Sequence, residues 1–213
     1  MTTATTQLER AAHIVKHGGV VIVPTETFYA LAADPFRVTA LQRIYEIKGR
    51  PDFKPLPLIA CDKETVLAAV VEPGPLSHNL METFWPGSLT ILLKPAFSGN
   101  PFIAGPSGKI GIRVPPDCAA RTLARLAGGW ITATSANLSG DPNPREVSMI
   151  AGAVVRAVDM VLDLGPTPGG LPSTVVEPVG CSFRIVRAGA VPEDVVRKHV
   201  EDCYTCLETT THD

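Results

Sequence analysis

The sequence predicts an α/β fold: a single domain on a twisted mixed β-sheet flanked by helices, with a basic concave cleft. Three observations lead there. Apolar runs of strand length alternate with segments of helical spacing, but not in strict βαβ order, which favours mixed over doubly wound parallel pairing. The 213 residues are 45% hydrophobic and 19% charged, ordinary for one large globular domain, and no repeat or linker divides them. The 18 Gly and 20 Pro exceed the usual share, so much of the chain is shaped loop. The domain is expected over residues 1–200, followed by a polar tail over 201–213 that is expected to fray.

The elements follow in order. A helix is expected over 7–17, capped by Thr5 or Thr6 and ended by Gly18 and Gly19. "VVIVP" reads as a short buried strand. "FRVTALQRIYEIKG" sets Leu41, Ile44, Tyr45 and Ile47 at helical spacing, and Gly49 and Pro51 stop that helix. "LPLIA" is a strand, "KETVLAAVV" and "PLSHNLMETFW" are helices, and "SLTILLKP" and "KIGIRVP" are strands. The helix "CAARTLARLAG" comes next, then the strand "WITATSAN" running into the loop "LSGDPNP". A helix over about 145–156, the strand "MVLDLG" and the loop "GPTPGGLPS" lead to a hairpin of "TVVEPV" and "FRIVRAG". "PEDVVRKHV" is the last helix.

Bulk charge excludes one class of function. With 19 Lys+Arg against 21 Asp+Glu, the chain is not an evenly basic nucleic-acid coat, though a local basic cleft remains open to it. The start contains Glu9 and Arg10 and lacks a continuous apolar core, unlike a signal peptide. No apolar run approaches the ~18 residues of a membrane span. Five cysteines at irregular spacing argue against a disulfide framework. A cytoplasmic location without membrane association is therefore expected.

Standard nucleotide and hydrolase fingerprints are missing. There is no G-x-x-x-x-G-K-[ST], no G-x-S-x-G and no H-E-x-x-H, and the five histidines do not cluster. Polar residues gather instead where strands give way to loops: "PTET", "IGIRVP", "TSANLSG" and "GGLPSTVV". Strand ends of an α/β sheet are where ligands usually bind. Each motif alone could be turn chemistry, with Thr25 and Thr27 as caps and Ser135 and Asn137 bonding locally. "EIKGRPDFKPLP" adds Lys48, Arg50 and Lys54 within seven positions. Like charges held between prolines repel unless an anion sits among them. A solvated charge run is the alternative.

In series, "PTETFYALAADPF", "KGRPDFKPL", "WPGSLTILL", "GIRVP", "TSANLSG", "PSTVV" and "IVRAG" resemble the YrdC/TsaC family of threonylcarbamoyl-AMP synthases. The resemblance spans residues 8 to about 197. The K-x-R and S-x-N signatures of that family stand here as Lys48-Gly49-Arg50 and Ser135-Ala136-Asn137. The resemblance implies a nucleotidyltransferase that condenses L-threonine, bicarbonate and ATP to threonylcarbamoyl-AMP and pyrophosphate. The product would feed a downstream threonylcarbamoyl transferase complex acting on tRNA. A cleft rich in Lys and Arg suits that chemistry, because anionic reactants must be held in line while charge grows on the departing pyrophosphate.

Matching motifs carry the roles over. The resemblance implies that Lys48 and Arg50 are catalytic, with Lys48 supporting the phosphates. Thr27, Arg113, Ser135 and Ser173 would hold threonine, Arg113 by its carboxylate. Arg50, Lys54, Lys109, Asn137, Arg145 and Arg187 would contact ATP. Mg²⁺ is expected with the nucleotide, held mainly by phosphates and water. Ala30, Ser88 and Ile59 depart from the family pattern and bear on fine specificity. The chain looks like the short, single-domain form. The tail offers His199, Cys203, Cys206 and His212, whose spacing matches no standard zinc finger, so no metal site is expected. Two rival functions remain: an RNA-binding or ribosome-assembly module using the same cleft, with weak RNA affinity, and a carbamoyl transferase subunit like the related domain of hydrogenase maturation proteins.

Overall fold

The computed structural model describes residues 3–49, 54–98 and 100–209. It begins with helix α1 (Thr3–Lys16), strands β1 (Val21–Pro24) and β2 (Tyr29–Ala32), and helix α2 (Val38–Lys48). Strand β3 (Leu58–Ala60), helices α3 (Lys63–Leu67) and α4 (Pro75–Phe84), and strands β4 (Leu89–Leu93) and β5 (Ile110–Arg113) follow. Helix α5 (Ala119–Ala127) precedes β6 (Trp130–Thr132) and β7 (Thr134–Ser135), and α6 (Gly152–Ala157) precedes β8 (Met160–Val161). The hairpin β9 (Thr174–Val179) and β10 (Ser182–Arg187) leads into α7 (Glu193–Thr209). Among the described residues no helix is long and apolar enough to cross a membrane.

The pairing is mixed, as expected, but it is divided between two sheets. One runs β7-β2-β1-β8 and the other β10-β9-β4-β5-β3-β6. The expected strand "WITATSAN" is what joins them. β6 pairs antiparallel with β3, whereas β7 pairs antiparallel with β2, so the chain changes sheets at Ala133. The amide of Ala133 donates to the Pro57 carbonyl at 2.9 Å across that step. Ser135 is thereby placed at the seam, opposite Ala30.

Burial explains the first sheet. Val21 and Val23 of β1 face one apolar cluster, with Val15 of α1 and Leu123 of α5, while Ile22 faces the other, with Leu41 and Ile44 of α2. A strand covered on both sides needs apolar residues at every position rather than alternation. β2 is likewise buried throughout, and its four residues "YALA" were not expected as a strand. It pairs antiparallel with β1, Val21 opposite Ala32, across the turn 25–28.

Two further differences have local causes. The helix expected over about 145–156 is interrupted: a 3-10 turn (Val147–Met149) precedes α6, because Ile150 and Ala151 leave the helical region with ψ of 127° and 132°. Ile150 is buried in the core there, and packing overrides helical propensity. At the other end, α7 continues through Thr209 rather than stopping near residue 200.

Candidate active site

A cavity of about 430 Å³ opens at the seam of the two sheets. Five chain segments supply most of its polar lining: Thr25 and Thr27 from the β1–β2 turn, Arg113 from the end of β5, Ser135 from β7, Ser173 before β9, and Arg187 from the end of β10. Lys54 stands at its edge and is exposed.

The β1–β2 turn is held by one side chain. Thr25 Oγ1 donates to the Phe28 carbonyl at 2.8 Å and accepts from the amides of Thr27 and Phe28 at 3.1 and 3.2 Å. In "PTET", Thr25 thus builds the turn that presents Thr27 to the cavity. Gly169 donates its amide to the Thr27 carbonyl at 2.9 Å, fastening the "GPTPGG" loop to the same turn.

Arg113 is buried and forms an ion pair with Glu26. Burial, with Arg187's nearby charge adding to it, lowers the Arg113 pKa to about 10, so it stays cationic at neutral pH. Arg187 is held by Ser173: Nη2 donates to the Ser173 carbonyl at 2.7 Å and to its hydroxyl at 3.0 Å. Thr90 Oγ1 lies 2.9 Å from the same hydroxyl. Desolvation lowers the Arg187 pKa as well. Gly189 permits this arrangement, since a Cβ there would collide with the backbone of Pro172, Ser173 and Thr174.

Lys48 is elsewhere. It was expected at the phosphates, yet its side chain does not line the cavity and is only 1% exposed. Its ammonium donates to the carbonyls of Ser135 at 2.5 Å and Asn137 at 2.8 Å, and to Asn137 Oδ1 at 3.0 Å. It holds the S-x-N loop rather than presenting a charge. Ser135 Oγ donates to Asn137 Oδ1 at 2.6 Å, and Asn137 Nδ2 donates to the Asp141 carbonyl at 2.5 Å, so Asn137 also works within the loop.

Arg50 lies outside the described residues. Lys109 faces a second cavity of about 460 Å³, which shares Pro55, Pro57 and Arg187 with the first. There Lys109 Nζ donates to Glu177 Oε1 at 2.9 Å, and Arg184 contacts the other Glu177 oxygen. Arg145 does not line either cavity, and its side chain lies over Gly169. Asn143 and Glu26 went unnoticed in the sequence. Asn143 lines the cavity from the "DPNP" loop, and Glu26 stands between two residues that had been singled out.

Two departures from the family pattern sit beside the cavity. Ala30 is buried in its lining, and Ile59 is fully buried on β3 opposite Arg113. In the tail, His199 Nε2 is 3.0 Å from Thr83 Oγ1 and also contacts Asn79, which docks α7 on α4. The side chains of Cys203, Cys206 and His212 lie outside the described residues. Among the described residues, no three His, Cys, Asp or Glu side chains converge as a metal cage.

Comparison with known proteins decides the family. The model of the Sua5/YciO/YrdC family, described as "Telomere recombination", matches residues 13–189. The chain belongs to this family. A threonylcarbamoyl-AMP synthase of Bacillus subtilis is 34% identical over 193 residues, covering 89% of this chain and 55% of the relative. Among solved Sua5/YciO/YrdC structures, P. abyssi Sua5 complexed with L-threonine superposes with a TM-score of 0.85 at 30% identity, covering 91% of this chain and 57% of that one. E. coli YciO gives a TM-score of 0.77 at 26% identity, covering 87% and 90% respectively. The chain thus spans little more than half the length of the first two relatives.

Proposed function

We propose that the cavity condenses L-threonine, bicarbonate and ATP to threonylcarbamoyl-AMP and pyrophosphate, a nucleotidyl transfer. One observation carries the reading: five separate segments bring Thr27, Arg113, Ser135, Ser173 and Arg187 to one cavity. The likeness to a synthase of B. subtilis and to a Sua5 that binds L-threonine supports it.

In this reading Arg113 takes the threonine carboxylate, a pairing guanidinium makes in planar, bidentate form. The hydroxyls of Thr27, Ser135 and Ser173 surround the substrate side chain. Arg187 and Lys54 neutralise the triphosphate, a task in which Arg50 is proposed to share. Lys48 and Asn137 fix the Ser135 loop so that nothing reorganises during the reaction. The second cavity, walled by Leu92, Val175 and Val186 and bordered by Lys109, suits a flat apolar base. Mg²⁺ would accompany the nucleotide. Among the described residues lining the cavity there is no carboxylate, so phosphate oxygens and water would be the ligands that fit the ion, which would supply charge neutralisation on the phosphates.

The product is a mixed anhydride and is consumed by an acyl transfer, for which a complex acting on tRNA is the expected partner. Pyrophosphate release from ATP, measured with and without threonine and bicarbonate, tests the reading. Release that requires both is expected. Release independent of threonine refutes it.

A further inference from the structure

Arg113 already has a carboxylate beside it. Glu26, one residue before Thr27 on the β1–β2 turn, is in contact with Arg113 Nη1. Their side chains are 12% and 9% exposed. A simple clamp between the two would use the guanidinium fork in two parallel bonds. Here only Oε1 of Glu26 is engaged. Its other oxygen, Oε2, is fully buried and has no hydrogen-bond partner among the described residues. A buried acceptor without a donor is uncommon and points to a group still to arrive.

The arriving group must be a cation or donor small enough to stand beside Arg113. A free α-amino acid has one. Standard backbone dimensions set its ammonium nitrogen about 2.5 Å from its carboxylate carbon. A guanidinium and a carboxylate in contact present the opposite charges side by side. The zwitterion therefore docks head to tail, carboxylate on Arg113 and ammonium on Glu26, with no net charge added to the buried pair. A ligand with a carboxylate alone would place two anions around one guanidinium and repel Glu26.

We propose that Glu26 reads the α-ammonium of the amino acid whose carboxylate Arg113 binds. This rests on the reading of the cavity as an amino-acid site and adds its specificity for an unmodified amine. Acylated amino acids, peptides and hydroxy acids are excluded at this residue, while side-chain choice is left to the hydroxyls of Thr27, Ser135 and Ser173. The turn bonds of Thr25 fix the backbone that carries Glu26, so the carboxylate is aimed by a stiff support.

Titration calorimetry on the full chain, with L-threonine and with 2,3-dihydroxybutyrate, tests it. The second ligand keeps the carboxylate and both carbon substituents but has a hydroxyl in place of the amine. Wild type should bind threonine at least tenfold more tightly than the hydroxy acid. Glu26→Gln should lose at least tenfold for threonine and no more than threefold for the hydroxy acid. Equal loss for both ligands makes Glu26 a mere support for Arg113 and overturns the proposal. Equal wild-type affinities overturn it without recourse to the variant, which covers a Glu26→Gln chain that fails to fold. Wild type that binds neither ligand refutes the amino-acid reading of the cavity as well.

Discussion

The ammonium of Lys48 donates to the backbone carbonyl of Ser135 at 2.5 Å, joining the last turn of α2 to a strand 87 residues away. A buried cation used this way stabilises the loop whose carbonyls it covers. Lys48→Met keeps the apolar stem and removes the charge, leaving the acceptors of Ser135 and Asn137 without that donor. The expected loss is about 3 kcal/mol, a fall of roughly 10 °C in melting temperature for a chain of this size. Activity should fall with it. A phosphate ligand would behave differently, with activity lost at unchanged melting temperature, so thermal unfolding beside turnover separates the two roles.

Gly189 carries a prediction about geometry. Its backbone passes so close to Pro172 and Ser173 that any Cβ meets main-chain atoms, which cannot move aside like a flexible side chain. Gly189→Ala should shift the segment carrying Ser173 and weaken its bonds to Arg187. At least a tenfold loss in kcat/KM for threonine is expected. Gly74→Ala, which meets nothing within 4 Å, should leave turnover unchanged. Equal behaviour of the two variants would show that the Gly189 contact is not needed.

Glu177 yields a prediction about acid. Hydrogen bonds from Lys109 and then Arg184 hold its carboxyl below the ordinary value. A depressed folded-state pKa contributes stability that is fully present above the unfolded value, roughly 4.3, and is lost as pH falls through the folded value. Wild type should therefore melt higher than Glu177→Gln at pH 7, and the gap should close below about pH 4. A gap that stays constant from pH 7 to pH 3 would show that the charge of Glu177 contributes nothing.

Much of the cavity's lining was legible because strand ends in "PTET", "GIRVP", "TSAN" and "PST" carry polar residues that the core has no use for. What brings them together was less so. β2 is buried on both faces and has no alternation to mark it, and the change of sheet at Ala133 leaves no local signal. Grouped with Arg50 and Lys54, Lys48 reads as part of a charge cluster, although its side chain is buried. The helical spacing Leu41, Ile44, Tyr45, Lys48 already puts it on the buried face of α2. Glu26 was missed because its partner, Arg113, is 87 residues distant and no local pattern pairs them.

The central claim is that one cavity joins an amino acid, a one-carbon anion and a nucleotide. The most direct test follows the carbon: the full chain is incubated with ATP, Mg²⁺, L-threonine and ¹³C-bicarbonate, and the adenylate products are weighed by mass spectrometry. An adenylate containing threonine and one labelled carbon, formed together with pyrophosphate, is the expected result. A threonyl adenylate without the label, or pyrophosphate released with no threonine in the product, would contradict it.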